Sequence, residues 1–298
     1  MGREAKPLIT RALEPVENHV EVFIAESRLA HSATNDPSDI EEEQLMTLLV
    51  SFDPQPAQRW SARALASTFI TAQCIFEQLP DNRELDEWLG DLLHSRVPAS
   101  LCIVLVLPEY SENSERQVKY LLSNLKCKQV HDIHMTVAVS STPSDWRHCT
   151  GIGGFVSAVA RDGDRASLQV FNMLAALMAP GLSSCVDWDE LRSIFGSHEF
   201  PSRLASGIWL RAEATFVPGS AEDQKLIEDS KVIAFMPSHP LQFSSQNKMM
   251  NAIHKFTAND PDFVMITPYG MSSEPVMSDQ IVPVFLISAP LAEITFES

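Results

Sequence analysis

Glycine is scarce in this 298-residue chain, with eleven in all and none between Gly2 and Gly90. A loop that wraps phosphates with backbone N–H groups normally needs clustered glycines, because the backbone must approach closely and adopt positive φ angles. The first third of the chain therefore offers no phosphate loop of the usual kind. The GxSxG, HExxH, GxxxxGK[ST] and GxGxxG patterns are absent as well, so the common hydrolase and nucleotide motifs find no match.

Basic residues are few: 22 Lys and Arg against 39 Asp and Glu, a formal net charge of −17. Non-specific nucleic-acid binding needs Lys and Arg to neutralise phosphates, and an anionic membrane surface attracts the same residues. No apolar run approaches the roughly 18–20 residues of a membrane span, and the N-terminal segment MGREAKPLITRALEPVENHV lacks the apolar core of a signal peptide. We therefore expect a cytoplasmic protein with no nucleic-acid partner and no membrane partner.

Metal and disulfide patterns are also missing. The five cysteines are odd in number and include no CxxC pair: Cys74, Cys102, Cys127, Cys149 and Cys185. His131 and His134 are three apart, and His148 adjoins Cys149, but an i,i+3 pair on a strand points to opposite faces. We predict no disulfide framework, no metal site and no cofactor.

What the chain does contain is apolar material, at 45% of residues, enough for a sizeable core. Residues 101–107 (LCIVLVL) form a continuous aliphatic run, typical of a strand buried on both faces. A helix is predicted over 114–125 and a strand over 133–140. Strand, helix and strand at this spacing indicate a βαβ unit and a parallel sheet.

The first hundred residues have a weaker pattern. We predict a short strand over 20–25, and a solvated acidic loop over 35–44 that runs into a helix N-terminus. Helical periodicity predicts a helix over 60–79 and a second over 84–93.

The second half begins with a turn-rich break over 141–154. Its Gly151–Gly154 segment could offer N–H groups to an anion, but its position after a strand favours a plain loop. Helices are predicted over 165–178 and 187–195, with Phe171 and Leu174 facing inward.

Beyond these helices the pattern predicts a strand over 207–217 and a smaller α/β block. That block has strands over 232–236, 263–267 and 281–288, with a helix over 244–256. Pro283 suggests that the last strand is an edge strand or carries a bulge. Trp188, Trp209 and the pair Met249 and Met250 are predicted to lie in the core, and Glu222 and Asp223 in an exposed acidic stretch.

The order of these elements resembles the FtsZ/tubulin superfamily, and bacterial FtsZ in particular. IHMTVAVSSTP (133–143) is similar to the family's strand LTVAVVTKP, and APGLSSCVDWDELRSIF (179–195) to its RPGLxNVDFADVRTVM. The likeness covers somewhat over half of the chain, from about 133 to 289. It implies an α/β fold with a parallel-sheet N-terminal domain over 1–160, a central helix and loop over 161–198, and a smaller α/β C-terminal domain over 199–298.

The family's most diagnostic motif is missing. FtsZ and tubulin carry a signature close to GGGTGTG after the fourth strand, where this chain reads PEYSENS (108–114). Glu109 and Glu112 stand where a polyphosphate would lie, and a carboxylate repels a triphosphate. The resemblance therefore implies that the chain does not bind GTP in the ordinary way.

The family's synergy loop, which reaches into the next subunit's nucleotide site, is better preserved. By position its Asn becomes Cys185, its first Asp is Asp187, and its second Asp becomes Glu190. These three residues are the predicted partner-facing site, although a thiol cannot replace both functions of an amide. The alternative interpretation is a simple acidic helix N-terminus.

Together these features predict a non-catalytic FtsZ-like protein that binds a polymerising relative, or a copy of itself. Two alternatives stay open: a divergent GTPase that polymerises itself, and a repurposed scaffold for an unrelated partner.

Overall fold

The computed structural model describes residues 21–32, 40–52, 73–78, 100–127, 132–158, 163–177, 188–210, 212–235, 243–257, 261–265 and 280–288. The strands in these ranges are β1 (Glu21–Ser32), β2 (Ile40–Ser51), β3 (Gln73–Gln78), β4 (Ser100–Val106), β5 (Asp132–Ser140), β6 (Gly154–Ser157), β7 (Ser202–Leu210), β8 (Thr215–Pro218), β9 (Val232–Phe235), β10 (Asp262–Met265) and β11 (Gln280–Ile287). The α-helices are α1 (Glu112–Cys127), α2 (Gly163–Leu177), α3 (Trp188–Phe195), α4 (Ala221–Glu228) and α5 (Phe243–His254). A short 3-10 helix spans Pro143–Trp146.

All the strands belong to one mixed sheet in the order β10-β9-β11-β7-β6-β5-β4-β2-β1-β3, with β8 paired to β7. The five strands from β2 to β7 in this order run parallel to their neighbours. Antiparallel pairs flank them, β1 with β2 and β3 on one side and β11 with β7 and β9 on the other. The predicted α/β class and the parallel pairing of β4 with β5 are confirmed.

Helices cover both faces of this sheet, because successive residues of a buried strand point to opposite sides. On β4, Ile103 and Leu105 join a core with α1 and the 3-10 helix, whereas Cys102 and Val104 join a core with α2 and α3. A third core lies under α4 and α5, against β7, β9 and β11. Trp209 and Met249 are buried in it, as predicted, whereas Met250 packs against it only partly buried. The side chain of Trp188 is not described.

The two apolar helices of the middle of the chain have different roles. Helix α2 packs across β2, β4 and β5, and fully buries Phe171 and Leu174. Helix α3 reaches β5, β6 and β11, and its Phe195 ring lies edge-on to Phe285 at 5.5 Å. Helix α3 thus contacts β11 as well as the parallel strands β5 and β6. The domain boundaries at 160 and 198 remain predictions.

Two expectations for the first hundred residues are wrong. Residues 41–44 do not enter a helix but belong to β2, where Glu43 pairs with Leu29 of β1. Residues 73–78 form β3 instead of the end of a helix, with Phe76 opposite Phe23 of β1. Pairing with β1 outweighs the local helical pattern in both cases, because each strand gains a full ladder of backbone hydrogen bonds. The predicted helix over 84–93 lies outside the described residues.

Two elements of the second half differ from the prediction. The strand expected over 207–217 is a hairpin of β7 and β8, and Ala214 in the turn has a φ of 49°. The break over 141–154 ends in β6, a strand that was not predicted because it has only four residues.

Pro283 lies within an inner strand, contrary to the prediction of an edge strand. Its partner on β7 is Ser206, whose N–H and C=O point away from β11 to Asp223 and Gly219. In such a pair the N–H position of Pro283 also points away from β7, so the missing N–H removes no hydrogen bond to that strand.

The expectation that Asp223 is exposed is also corrected. Only 8% of the residue is accessible, and its carboxylate accepts hydrogen bonds from the Ser206 N–H at 3.3 Å and the Ser220 hydroxyl at 2.9 Å. Ser220 in turn caps α4 by accepting from the Asp223 N–H. Asp223 thus connects the helix start to β7.

Replacing Asp223 with Ala should lower the free energy of unfolding by about 1–3 kcal/mol, because the buried Ser206 N–H loses its acceptor. Urea denaturation measures this change. The neighbouring exposed Glu222 gives the matched control, since Glu222→Ala should shift stability by less than about 0.5 kcal/mol. Equal shifts for the two variants would contradict this role for Asp223.

Candidate functional site

The site suggested by the sequence lies where the parallel strands β2, β4 and β5 end together. The Phe52 N–H donates to the Val106 carbonyl at 3.2 Å, and the Leu107 N–H to the Val139 carbonyl at 3.0 Å. These bonds continue the sheet one residue past β2 and β4. The chain order also reverses here, since β3 lies beyond β1 and β4 returns beside β2. In open α/β sheets such a switch point is where ligands bind.

The loop that follows β4 at this edge is closed by its own serines. The Ser111 N–H donates to the Ser114 hydroxyl at 2.9 Å, and the Ser114 N–H donates to the Ser111 hydroxyl at 3.1 Å. The two hydroxyls lie 2.8 Å apart. This reciprocal pairing satisfies N–H groups at the start of α1 that would otherwise be available to an anion.

Carboxylates occupy the same end of α1. Glu112 and Glu115 lie in its first turn, where negative charge is stabilised by the helix dipole. Glu109 and Glu112 are both exposed. No glycine occurs between Gly90 and Gly151, so the backbone here cannot wrap a phosphate closely. Within the described residues, this edge therefore offers an incoming polyphosphate repulsion and few free donors.

Tyr110 and Lys119 flank Glu115 in a small polar network on α1. The Tyr110 hydroxyl donates to Glu115 Oε2 at 2.8 Å, and Lys119 Nζ lies 2.7 Å from Oε1. The hydrogen bond to Lys119, and then the one from Tyr110, lowers the pKa of Glu115. The same contacts with Glu115 raise the pKa of Tyr110 and of Lys119. Glu115 thus stays ionised, and both partners keep their protons at neutral pH.

The 3-10 helix after β5 lies beside this network. Its buried Trp146 meets the Tyr110 ring edge-to-face at a centroid distance of 5.5 Å. Cys149 follows it, and burial raises the pKa of its thiol to about 11. A thiol with that pKa is protonated at neutral pH, so Cys149 is neither a nucleophile nor a ready metal ligand.

The glycines of this region have structural roles, in the conformation and close packing of the backbone. Gly151 has a φ of 96°, and the Gly153 N–H donates to the Thr136 carbonyl at 2.7 Å. A Cβ on Gly154 would lie 2.5 Å from Phe195 Cβ, so glycine allows β6 and α3 to approach. The predicted plain loop is found over residues 151–153, whereas Gly154 is the first residue of β6.

Of the three predicted partner-facing residues, the structure describes only one, and only its backbone. Cys185 and Asp187 lie outside the described residues. Glu190 belongs to α3, whose Leu191 and Ile194 are buried against the sheet, and its own side chain is not described. The assignment of these three residues to a partner surface stays a prediction.

Side chains that could ligate a metal do not cluster in the described ranges. These ranges contain no group of three or more His, Cys, Asp and Glu residues that could hold a metal ion. His131 lies outside them. Among the helices that the structure describes, none combines the length and apolar character needed to cross a membrane.

Sequence reasoning missed the pairing of the Tyr110 loop with the 3-10 helix. Residues 110 and 147 are 37 positions apart in the chain, and only the parallel pairing of β4 with β5 places their loops at one edge. The sole sequence signal was the rule that parallel strands share their carboxyl edge.

No protein-family model matches the chain, and no curated protein matches it in sequence. The chain is similar to solved structures that include a point mutant of FtsZ from M. jannaschii, with 8% identity, 71% of each chain covered and a TM-score of 0.40. They also include a TubZ of type III plasmid segregation, with 11% identity, 70% of this chain and 62% of that chain covered and a TM-score of 0.25. TubZ of Bacillus thuringiensis serovar israelensis, in GDP-form protofilaments, matches with 12% identity, 70% and 59% coverage and a TM-score of 0.28. Because these TM-scores are low, we define the fold of this chain from its own sheet order and strand register.

Proposed function

We propose that this chain is a non-catalytic FtsZ-like protein that binds a polymerising FtsZ/tubulin relative, or a second copy of itself. The contact would be made by the face that carries Cys185, Asp187 and Glu190. A subunit of this kind would cap or modulate a filament, because its own altered edge does not accept the next subunit productively.

One observation carries the non-catalytic part of this proposal. The edge at the end of β4, where an open α/β sheet would hold a nucleotide, is closed by the Ser111–Ser114 pair and faced by Glu109 and Glu112. A triphosphate carries several negative charges, and its hydrolysis depends on donors and cations placed around them. This edge supplies carboxylates in their place, which supports a binding role over a GTPase role.

Charge supports the choice of partner. A nucleotide pocket loaded with Mg²⁺ and lined by phosphate-binding groups presents positive charge to a neighbouring subunit. Asp187 and Glu190 complement it, and such complementarity guides association more than it stabilises folding. The two carboxylates contribute only about 0.3–1 kcal/mol each to the fold if they lie at an exposed helix start.

The double variant Asp187→Asn/Glu190→Gln tests the proposal. It keeps side-chain size and hydrogen-bonding capacity but removes two charges. We expect nearly unchanged folding and a clear loss of co-sedimentation with GTP-assembled FtsZ, or of the effect on its GTP turnover.

The matched control is Glu213→Gln/Glu222→Gln, which removes the same charge from two exposed positions in the second half of the chain. It separates a local contact from a net-charge effect. If the 187/190 variant binds and modulates FtsZ like the unaltered protein, the acidic segment is only a helix start. A protein that sediments alone with GTP would instead favour a self-polymerising GTPase, and one that never sediments would favour an unrelated scaffold.

A further inference from the structure

A pocket of about 390 Å³ lies between the loop after β4 and the 3-10 helix after β5. It is lined by Tyr110, Ser144, Asp145, Arg147 and His148. The pocket stands at the carboxyl edge of the parallel strands, and its volume is in the range of about 300–1,000 Å³ that small-molecule sites occupy. None of its lining residues is one of the proposed partner-facing residues, so a ligand site in this pocket does not depend on the proposed function.

Two opposite charges line this pocket without neutralising each other. Asp145 and Arg147, both within the described part of the chain, form no ion pair with one another. The Nε–H of Arg147 donates to Nε2 of His148 at 3.0 Å. That bond fixes the plane of the guanidinium and leaves its two terminal nitrogens for a ligand, in the fork geometry that matches a carboxylate.

The charges around the pocket determine which kind of anion it can bind. Glu112 and Glu115 act on the Tyr110 hydroxyl from the start of α1, and Asp145 adds a carboxylate within the pocket itself. A dianion such as phosphate would meet repulsion from these groups, whereas a ligand that carries its own positive charge would pair with Asp145. The site therefore favours a molecule of zero net charge with one anionic and one cationic end.

Tyr110 supplies the apolar surface. The residue is 38% exposed, and its ring makes an edge-to-face contact with Trp146. An exposed aromatic ring that is held in place offers a stacking surface for a second ring.

We propose that this pocket binds a small zwitterion of the α-amino acid class. The ligand's carboxylate lies on the Arg147 guanidinium, its ammonium on the Asp145 carboxylate, and an aromatic side chain against Tyr110. The Ser144 hydroxyl provides a further hydrogen bond at the pocket wall.

Calorimetric titration with three compounds tests this assignment: L-phenylalanine, phenethylamine and 3-phenylpropionate. L-phenylalanine carries both charges, phenethylamine only the cationic group, and 3-phenylpropionate only the anionic group. L-phenylalanine should bind about tenfold more tightly than either half, because each charge contributes its own hydrogen-bonded pair. Arg147→Gln should weaken the binding of L-phenylalanine and 3-phenylpropionate about tenfold or more and leave the binding of phenethylamine unchanged. Asp145→Asn should weaken the binding of L-phenylalanine and phenethylamine and leave the binding of 3-phenylpropionate unchanged.

Arg116→Gln and Asp262→Asn are the matched controls, since both residues are exposed and neither lines the pocket. All these positions are on the surface, so the denaturation midpoint should not move. Equal affinity for the three compounds, no binding of L-phenylalanine, or binding that survives both pocket variants would each overturn the assignment.

Discussion

Titration of the protein with GTP or GDP in the presence of Mg²⁺ is expected to give no binding in the micromolar range. Low-micromolar affinity corresponds to roughly 7–8 kcal/mol of binding free energy, and FtsZ-type sites obtain it from glycine-rich loops that direct backbone N–H groups at the phosphates. Here the loop after β4 reads PEYSENS, and its serines occupy each other's N–H groups.

Electrostatic repulsion should weaken phosphate binding further, in addition to the loss of hydrogen-bond donors. Glu109 and Glu112 are exposed at this edge, Glu115 is held ionised by Lys119, and the whole chain carries a formal charge of −17. These charges would repel an approaching polyanion, and the repulsion would be weaker at high salt than at low salt.

Isothermal titration calorimetry is the measurement, with an active FtsZ as the positive control. A dissociation constant in the low micromolar range would contradict the non-catalytic assignment. It would also restore the divergent GTPase as the leading function. Raising the salt concentration would then show whether unfavourable charge had weakened that binding further.

Leu174→Ala is expected to reduce the free energy of unfolding by about 2–5 kcal/mol, the range for cavity-forming changes in a packed core. Leu174 is fully buried on α2, within the core that includes Cys102 and Val104 of β4. Since α2 crosses β2, β4 and β5, the cavity would open in the centre of the parallel sheet, where neighbouring strands have little freedom to collapse into it.

The control for this variant is Val217→Ala. Val217 is 43% exposed on β8, so the same kind of truncation should change stability by no more than about 0.5 kcal/mol. Urea-denaturation midpoints with an unchanged slope provide the comparison. If Leu174→Ala moves the midpoint as little as Val217→Ala does, α2 is not a core element of the sheet.

The candidate site could be predicted in part. The missing glycines and the positions of Glu109 and Glu112 are properties of the sequence, and they already argued against a triphosphate. The reciprocal bonds of Ser111 and Ser114, and the pocket shared by Tyr110 and Arg147, required the structure, because both depend on the distances between groups that the fold brings together.

The middle of the fold can be predicted from the sequence alone. Strand β4 reads as an unbroken aliphatic run, and α1, α2 and α3 have apolar residues at helical spacing; burial on both sheet faces requires such patterns, so they are visible locally. The three-dimensional structure was needed to assign residues 73–78 to β3, Glu43 to β2 and Pro283 to an inner strand. Those outcomes depend on pairing with another strand, whose hydrogen bonds outweigh the local preference. A local pattern contains no information about that partner.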